Sequence, residues 1–328
     1  VVPDLFRNIF MKDVTSEYMK TCDIMIPTQK KRNHKHAYLA VFDNQKWVPI
    51  CYGTQKGKVC YFNEIGKDIA YLPLYYDNQG IHPITDPFIL DSRGRIKYLH
   101  ADTSKRKKVI LSRKYYLAKH IFDYAKTLTG GHFEASNNPD FSDPDTIHTI
   151  SHWLLSADSF EIKPQKTYRY WRYVSAKNKG CNLAELAFYS DKEEKELTGT
   201  IIGTNASVRY DTMPMDKSKV FDKDILTYYE APSTVDYPWV GLDFNKPVSI
   251  NKIIYTPRND DNNIHAGDLY ELFYWEYNHW MSLGQQRAIE SKLTYTNVPD
   301  NTLLLLKDLT KGEEERIFTY ENDKQVWW

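Results

Sequence analysis

Short apolar runs separated by turn residues fill the first third of the chain. They include HAYLAVF, WVPICYG, VCYFNEIG, IAYLPLYY, PFILDSRG, RIKYLHAD and KKVILSRK. Short strands at a spacing of roughly eight to twelve residues indicate an antiparallel β-sandwich rather than alternating strands and helices. We therefore predict an N-terminal β-sandwich domain over residues 13–128, preceded by a leading segment over residues 1–12.

A different periodicity occurs once, in KYYLAKHIFDYAKTL at residues 114–128. Leu117, Ile121, Phe122 and Ala125 lie at helix-like intervals. The pattern leaves a short helix and an irregular connector as alternatives before Gly130-Gly131. We place the domain boundary at this point.

Strand-like runs resume after the boundary and continue to the C terminus. YRYWRYV and NLAELAFYS flank an Asn-Lys-Gly turn, and WVGLDF and VSINKIIY flank Asn-Lys-Pro. Further pairs are LYELFYW with HWMSLG, LTYTNVP with TLLLLKDL, and two strands within RIFTYENDKQVWW. The predicted fold class is all-β, with two β-sandwich domains, and the second domain over residues 129–328 is jelly-roll-like.

Composition argues against several classes of partner. Lys plus Arg and Asp plus Glu both total 43, so the formal net charge is zero. A nucleic-acid binder or a polybasic membrane binder would carry an excess of cations. No apolar run approaches the ~18 residues that a membrane-spanning helix needs. The basic run KKRNHKH at residues 30–36 is predicted to be a solvated loop.

The four cysteines contain no CxxC pair, which argues against a structural zinc site. Cys51 and Cys60 flank the turn-like TQKGK, so a disulfide across a hairpin and two free buried thiols are both open. The chain begins VVPDLF, without Met or an apolar leader. We expect a processed start, with any signal peptide or earlier domain upstream.

Four stretches of the second half carry a family resemblance: KVFDKDILTYYEAP, PWVGLDFNKPVSINKIIY, YELFYWEYNHWMSLG and YRYWRYVSAKNKGCNLAELAFYS. Together they resemble the loop and strand motifs of the discoidin, or coagulation factor V/VIII C-type, domain. This family is a galactose-binding-like β-sandwich, and some members serve as family-32 carbohydrate-binding modules. The fourth stretch comes first here but last in the family, which implies circular permutation or an earlier partial copy.

The whole chain also resembles the C-terminal part of bacterial surface proteins that carry a transglutaminase-like domain upstream. The stretches that carry this second resemblance are LFRNIFMKDVT, WVPICYG, DIAYLPLYY and EERIFTYENDKQVWW. It implies a secreted, periplasmic or cell-surface location and a possible upstream catalytic domain as a partner.

The polar run PRNDDNNIHAGD is the candidate ligand-binding loop. Its Arg, Asn and Asp groups offer the paired donors and acceptors that vicinal sugar hydroxyls require, and nearby rings would pack against the C–H faces of a sugar. The alternative is a structural turn held by local hydrogen bonds. In the family arrangement, Tyr228 and Tyr237 come from neighbouring loops. The predicted ligand-binding residues are Arg258, Asn259, Asp260, Asn263, His265, Tyr229 and Trp239.

A second constellation, in KVFDKDILTYYE, is a candidate calcium site. Asp222, Asp224 and Thr227 supply hard oxygen ligands in a tight loop. The resemblance implies a structural Ca²⁺ completed by Glu185. Lys223 stands where the family prefers Gly, a position with positive φ. Without calcium, Asp222 and Asp224 would simply form a turn.

Catalytic motifs are absent from the sequence: there is no HExxH, GxSxG, GxGxxG or P-loop pattern. His148 and His152 are four residues apart, but TIHTISHW reads as a strand rather than a helix, which argues against a metal pair. We predict a non-enzymatic span that recognises carbohydrate or a glycoprotein at the bacterial surface. The alternatives are an accessory docking region of a larger enzyme, which predicts a continuous exposed apolar patch on the N-terminal domain, and a protein adhesion module.

Overall fold

The computed structural model describes residues 21–27, 37–43, 45–163, 166–190, 193–206, 215–232, 234–312 and 316–328. The predicted leading segment at residues 1–12 and the basic loop at residues 30–36 lie outside this set. Nearly all regular elements are β-strands, and the strands pair in antiparallel fashion. The predicted all-β fold class is therefore confirmed.

The elements follow one another in three groups. The first group is β1 (Thr21–Pro27), β2 (Ala37–Asp43), β3 (Lys46–Lys56), β4 (Val59–Gly66), β5 (Tyr71–Asp77), β6 (Gly80–Pro83), β7 (Phe88–Leu90), β8 (Ile96–Tyr98) and β9 (Asp102–Leu111). The second is α1 (Lys119–Lys126), β10 (His132–Ser136), β11 (Asp145–Thr149), β12 (Asp158–Glu161), β13 (Tyr168–Val174), β14 (Leu183–Ser190), β15 (Glu193–Glu196), β16 (Thr200–Gly203), a 3₁₀ helix (Lys217–Phe221), β17 (Trp239–Val248) and β18 (Lys252–Pro257). The third is β19 (Leu269–Glu276), β20 (His279–Arg287), β21 (Leu293–Asp300), β22 (Leu304–Asp308), β23 (Ile317–Glu321) and β24 (Lys324–Trp327).

Two compact units divide the chain, and the second is inserted into the first. Unit 1 combines Val1–Tyr116 with Ile264–Trp328, and unit 2 is Leu117–Asn263. This division differs from the predicted domains at 13–128 and 129–328, because β21 pairs with β9 and so joins the C-terminal strands to the N-terminal ones. Strand periodicity identifies strands but not their distant partners, so it could not reveal the insertion.

Unit 2 is a β-sandwich. One sheet has five strands in the order β11-β10-β13-β17-β16, and the other has four in the order β12-β18-β14-β15. Side chains from both sheets, among them Trp171, Phe188, Leu242 and Ile253, form one buried core. The predicted pairs β13 with β14 and β17 with β18 lie in different sheets, so their turns connect the two layers instead of closing hairpins.

Unit 1 also has layered sheets. Its eight-stranded sheet follows the order β1-β4-β3-β2-β5-β7-β8, with β6 paired to β5, and its five-stranded sheet follows β20-β19-β22-β23-β24. Tyr38 and Leu72 of the first sheet share a buried cluster with Trp275 and Leu305 of the second. The sandwich-like arrangement therefore depends on side chains from both ends of the chain. The predicted pairing of LTYTNVP with TLLLLKDL does not form, since β22 pairs with β19 and β23.

The possible disulfide between Cys51 and Cys60 is absent, and both thiols are free. In the β3–β4 hairpin Cys60 lies opposite Gln55, whereas Cys51 pairs with Leu39 on the other side of β3. The two cysteines are therefore offset by several residues along the hairpin. The alternative of free thiols is the one that the structure bears out.

The one α-helix over the described parts of the chain is α1, which settles the choice at residues 114–128 in favour of a short helix. Ile121 and Ala125 are buried, in agreement with the helical spacing of the apolar residues. No helix in the described ranges is both long and apolar enough to cross a membrane.

Candidate functional site

The candidate ligand-binding loop begins where β18 ends. Leu183 at the start of β14 pairs with Pro257 and also forms a bridge with Tyr229. The backbone N–H of Arg258 then donates to the carbonyl oxygen of Asn182 at 2.9 Å. These backbone contacts bring the side chains of Asn182, Tyr228 and Arg258 to the same edge of unit 2.

The amide side chains of this loop make internal hydrogen bonds. Asn259 Nδ2 donates to the carbonyl oxygen of Pro257 at 2.7 Å, and its Oδ1 accepts from the N–H of Asp261 at 2.8 Å. Asp260 Oδ1 accepts from the N–H of Asn262 at 3.3 Å, and Asn263 Nδ2 donates to the carbonyl oxygen of Leu155 at 3.0 Å. Asn259 and Asn263 are both 6% exposed. The amides therefore form the structural turn that was the alternative to a ligand-binding loop.

Arg258 differs from the amides because its guanidinium lies between two aromatic rings. Its central carbon is 3.7 Å from the ring centre of Tyr124 and 3.6 Å from that of Tyr228. Nη1 donates to Asn182 Oδ1 at 3.3 Å and to Glu230 Oε2 at 3.4 Å. Neither Nε nor Nη2 donates a hydrogen bond to any described residue. We call these five residues the Arg258 site.

Three predicted ligand-binding residues are not among the five residues of the Arg258 site. Tyr229 is fully buried in the core, where its Oη donates to the carbonyl oxygen of Thr204 at 2.8 Å and burial raises its pKa. The ring centre of Trp239 lies 5.6 Å from the ring centre of Phe141. His265 belongs to unit 1. These positions correct the predicted platform, because a buried ring such as that of Tyr229 offers no face to a sugar.

The sequence predicted one of the two rings beside Arg258 and missed the other. Tyr228 is one of the rings that the family arrangement placed near the loop. Tyr124 was missed, because α1 was treated as part of the domain boundary. A signal was present: Tyr124 is three residues after the buried Ile121, so helical spacing places it at the edge of the buried face of α1.

The predicted calcium loop follows the 3₁₀ helix. Asp222 Oδ1 accepts from the N–H of Asp224 at 3.0 Å and from Thr227 Oγ1 at 3.0 Å. Asp222 Oδ2 accepts from Lys219 Nζ at 3.1 Å. Lys223 takes a φ of +67°, so the position that the family fills with Gly has the left-handed backbone here too. Its ammonium pairs with Glu196.

Glu185, the fourth predicted calcium ligand, lies on β14 opposite Thr256. Its Oε1 is buried, and no residue in the described part of the chain forms a hydrogen bond with it. Burial, and then the negative charge of Asp222, raise the pKa of this carboxyl from 4.5 to about 7. Across the described residues no three His, Cys, Asp or Glu side chains are grouped closely enough to hold a metal ion. An orphan carboxylate oxygen near acidic neighbours is nevertheless what a bound cation would satisfy.

A second ion-pair cluster, which the sequence did not reveal, lies on the outer side of the five-stranded sheet of unit 2. Arg172 donates through Nε and Nη2 to Glu134 Oε2 at 2.8 and 2.6 Å, and His132 Nε2 lies 2.8 Å from Glu134 Oε1. The guanidinium of Arg172 lies 3.8 Å from the ring centre of Phe141 and 4.9 Å from that of Trp239. Two donors of Arg172 are thus already used by Glu134, in contrast to Arg258.

His148 lies on β11 and stacks on Phe160 at a centroid distance of 4.1 Å. Burial lowers its pKa. Because β11 is a strand that ends at Thr149, His148 and His152 do not share a helix face, as the sequence pattern indicated.

The comparison with family models and the comparison with curated proteins identify no relative. No family model matches the chain, and no curated protein matches it. A solved structure of the FN1-FN3 domains of chicken CNTN1 aligns over 94% of this chain and 93% of its own, with 8% identity and a TM-score of 0.16. The function must therefore be argued from the site itself.

Proposed function

We propose that unit 2 recognises carbohydrate, or a glycosylated partner, through the Arg258 site and without catalysis. The observation that carries the proposal is the state of Arg258: two tyrosine rings hold its guanidinium, while Nε and Nη2 have no acceptor among the described residues. A planar pair of donors matches vicinal hydroxyls, and the exposed parts of the rings can contact the C–H faces of a sugar. The resemblance to discoidin domains supports the same class of ligand.

The proposed binding is weak, because a single surface site buries little of a small sugar. Modules of this kind gain avidity through repetition or through attachment to a larger protein. A secreted, periplasmic or cell-surface location, with an upstream catalytic domain, is part of the proposal and is supported by the resemblance to bacterial surface proteins.

We also propose a structural Ca²⁺ held by Glu185 together with Asp222, Asp224 and Thr227. The orphan Oε1 of Glu185 and its raised pKa support a cation at this place. When bound, the ion would supply the positive charge that these acids lack. The ion pairs of Lys219 with Asp222 and of Lys223 with Glu196 supply part of that charge without it.

A glycan array probed with the full chain tests the carbohydrate proposal. The wild-type protein should bind a group of related glycans, and Arg258→Ala should remove the signal. Arg169→Ala is the matched control, because Arg169 also lies in unit 2, beside the Tyr170 ring and paired with Asp243 at 2.7 Å. Silence of the wild-type protein across the array, or equal loss in both variants, would sink the proposal.

The alternative is a docking region of a larger enzyme, and one observation favours it. Unit 1 has exposed large apolar side chains on its eight-stranded sheet, among them Met25 and Tyr61. That alternative predicted an exposed apolar patch on the N-terminal part of the chain. If the array stays silent while an upstream domain binds this sheet, docking is the better account.

A further inference from the structure

A lysine and an aspartate are paired in the interior of unit 1, although they are 194 positions apart in the chain. Lys114 follows β9, and Asp308 is the last residue of β22. The two residues are 5% and 3% exposed, and Lys114 Nζ lies 3.4 Å from Asp308 Oδ2. Both residue types are rarely buried this fully, and a buried ion pair is costly because each charge loses its water. The pair therefore needs an explanation beyond ordinary surface electrostatics.

The two oxygens of the Asp308 carboxylate have different surroundings. Oδ1 accepts from the backbone N–H of Thr310 and from that of Lys311, each at 3.0 Å. Oδ2 accepts from Lys114 Nζ. Two backbone donors at this distance stabilise the negative charge that develops on a carbonyl oxygen when a nucleophile attacks its carbon. Oδ1 is thus placed to become an oxyanion, while Oδ2 faces the amine.

The lysine is held close to the carbon that it would attack. Besides its bond to Asp308, Lys114 Nζ donates to the carbonyl oxygen of Gly312 at 3.3 Å. The separation of 3.4 Å from Oδ2 is within the range of about 3–3.5 Å at which bound groups are ready to react, and such fixed proximity acts as a very high local concentration. Burial also keeps out the water that would reverse a condensation. The pair therefore combines proximity, an oxyanion site and exclusion of water.

We infer that the folded protein joins Lys114 and Asp308 by an amide bond between their side chains. A proton passes from Nζ to Oδ2, which converts the ion pair into an amine and a carboxylic acid. The amine nitrogen attacks Cγ, and negative charge develops on Oδ1 between its two backbone donors. The nitrogen gives a second proton to Oδ2, the bond between Cγ and Oδ2 breaks, and Oδ2 leaves as water. No oxidant, reductant or further reactant is consumed.

The product fits the contacts that are already present. Its carbonyl oxygen is the former Oδ1, which keeps both backbone donors. Its remaining N–H lies beside the carbonyl oxygen of Gly312, which accepts from Nζ before the reaction. A neutral, hydrogen-bonded amide costs less to bury than two charges. The bond also links the two segments of unit 1 that flank unit 2 in the sequence, so a cut within unit 2 would leave them covalently joined.

A second lysine–aspartate pair of unit 1 is the matched control within the same chain. Lys107 Nζ lies 2.7 Å from Asp300 Oδ1, which is closer than in the first pair, but the side chains are 30% and 48% exposed. Water stabilises both charges at such a place and competes with the amine for the carboxyl carbon. We therefore expect Lys107 and Asp300 to remain an ion pair. The comparison separates the effect of burial from that of proximity.

Mass spectrometry of the full chain, purified in its folded form and then denatured with reductant, tests the inference. The wild-type mass should be lower than the sequence mass by one water molecule. After digestion with trypsin, the peptides that contain Lys114 and Asp308 should be recovered as one linked species, and fragment ions should locate the link at these two side chains. Lys114→Met and Asp308→Ala should each restore the mass calculated from the sequence. Lys107 and Asp300 should be recovered on unlinked peptides.

A wild-type mass equal to the sequence mass overturns the inference, and that result does not depend on whether any variant folds. A loss of water with the two peptides unlinked, as a succinimide at another aspartate would give, overturns it as well. A link between Lys107 and Asp300 would contradict the role given to burial and would also overturn it. None of these measurements involves carbohydrate, so their outcome is separate from that of the function proposed for unit 2.

Discussion

Replacing Glu185 with Gln should stabilise unit 2 at pH 8 when a chelator is present. In the folded protein the Oε1 atom of Glu185 is buried and forms no hydrogen bond with any described residue, and Asp222 is a nearby negative charge. Ionising this carboxyl is therefore unfavourable in the folded state. Gln removes the charge and keeps nearly the same shape, so it removes that penalty.

The sign and size follow from the pKa of Glu185, which rises from 4.5 to about 7 on folding. The folded state holds the proton more tightly, so stability is highest below pH 4.5 and falls as the pH rises towards 7. The full difference corresponds to an upper bound of about 3 kcal/mol. The side chain is only half-buried, and solvent screening reduces the effect to roughly 1–2 kcal/mol.

Urea unfolding of the full chain, followed by hydrogen exchange in peptides that cover β14, measures this effect. Glu185→Gln should gain roughly 1–2 kcal/mol at pH 8 and almost nothing at pH 4.5. Glu161→Gln is the control, because Glu161 on β12 has a side chain that is 72% exposed. An equal gain at both pH values, or no gain at pH 8, would refute the reasoning.

If Glu185 is a calcium ligand, the wild-type protein should be more stable than Glu185→Gln when calcium is present. An ion at a hundred times its dissociation constant stabilises the folded state by about 2.7 kcal/mol. The wild-type protein should gain that stability on addition of Ca²⁺, and Glu185→Gln should gain much less. No response of the wild-type protein would remove calcium from the account.

Three further predictions concern unit 2 and the cysteines. Gly241→Ala should destabilise unit 2 by more than about 3 kcal/mol in thermal unfolding, because a Cβ there would lie 2.0 Å from the carbonyl oxygen of Trp171. An unchanged melting temperature would contradict the register of β13 and β17. Arg172→Ala should cost about 3–5 kcal/mol, because the buried Glu134 loses its guanidinium partner and keeps only the contact with His132 among the described residues. Adding Glu134→Ala should recover part of that loss in a double-mutant cycle, and additive losses would count against the pair. Denatured, unreduced protein should take up four alkyl groups by mass spectrometry, since all four thiols are free; uptake of two groups would indicate a disulfide. In the native protein Cys51 and Cys181 should react slowly, because burial raises their pKa values to about 11 and about 12.

The sequence predicted the elements of this fold better than their partners. The pattern of short apolar runs between turn residues identified β2, β3, β5 and most strands of the second half; β2 and β5 are buried on both faces, which gives them continuous apolar runs. It missed strands such as β1, whose flanking residues gave no matching pattern. It also assigned residues 264–328 to the second domain, since the β9–β21 pairing is made between positions nearly two hundred residues apart in the chain.

The candidate site was predicted in part, for the same reason. Arg258 and Tyr228 were identified by their residue types and by the family resemblance. Tyr229 follows Tyr228 directly, but the alternation of side chains at the Leu183 bridge buries it in the core. Asn and Asp residues are equally common in turns and in ligand sites, so their type alone does not predict the internal hydrogen bonds of Asn259 and Asp260.

Isothermal titration with the strongest array glycan, comparing wild-type protein with Arg258→Lys, tests the central claim most directly. Lysine keeps the charge of Arg258 but lacks the planar Nε and Nη2 donors. The account predicts at least a tenfold loss of affinity for Arg258→Lys and none for Tyr237→Ala, an exposed tyrosine of unit 2 outside the Arg258 site. Wild-type affinity in Arg258→Lys would contradict it.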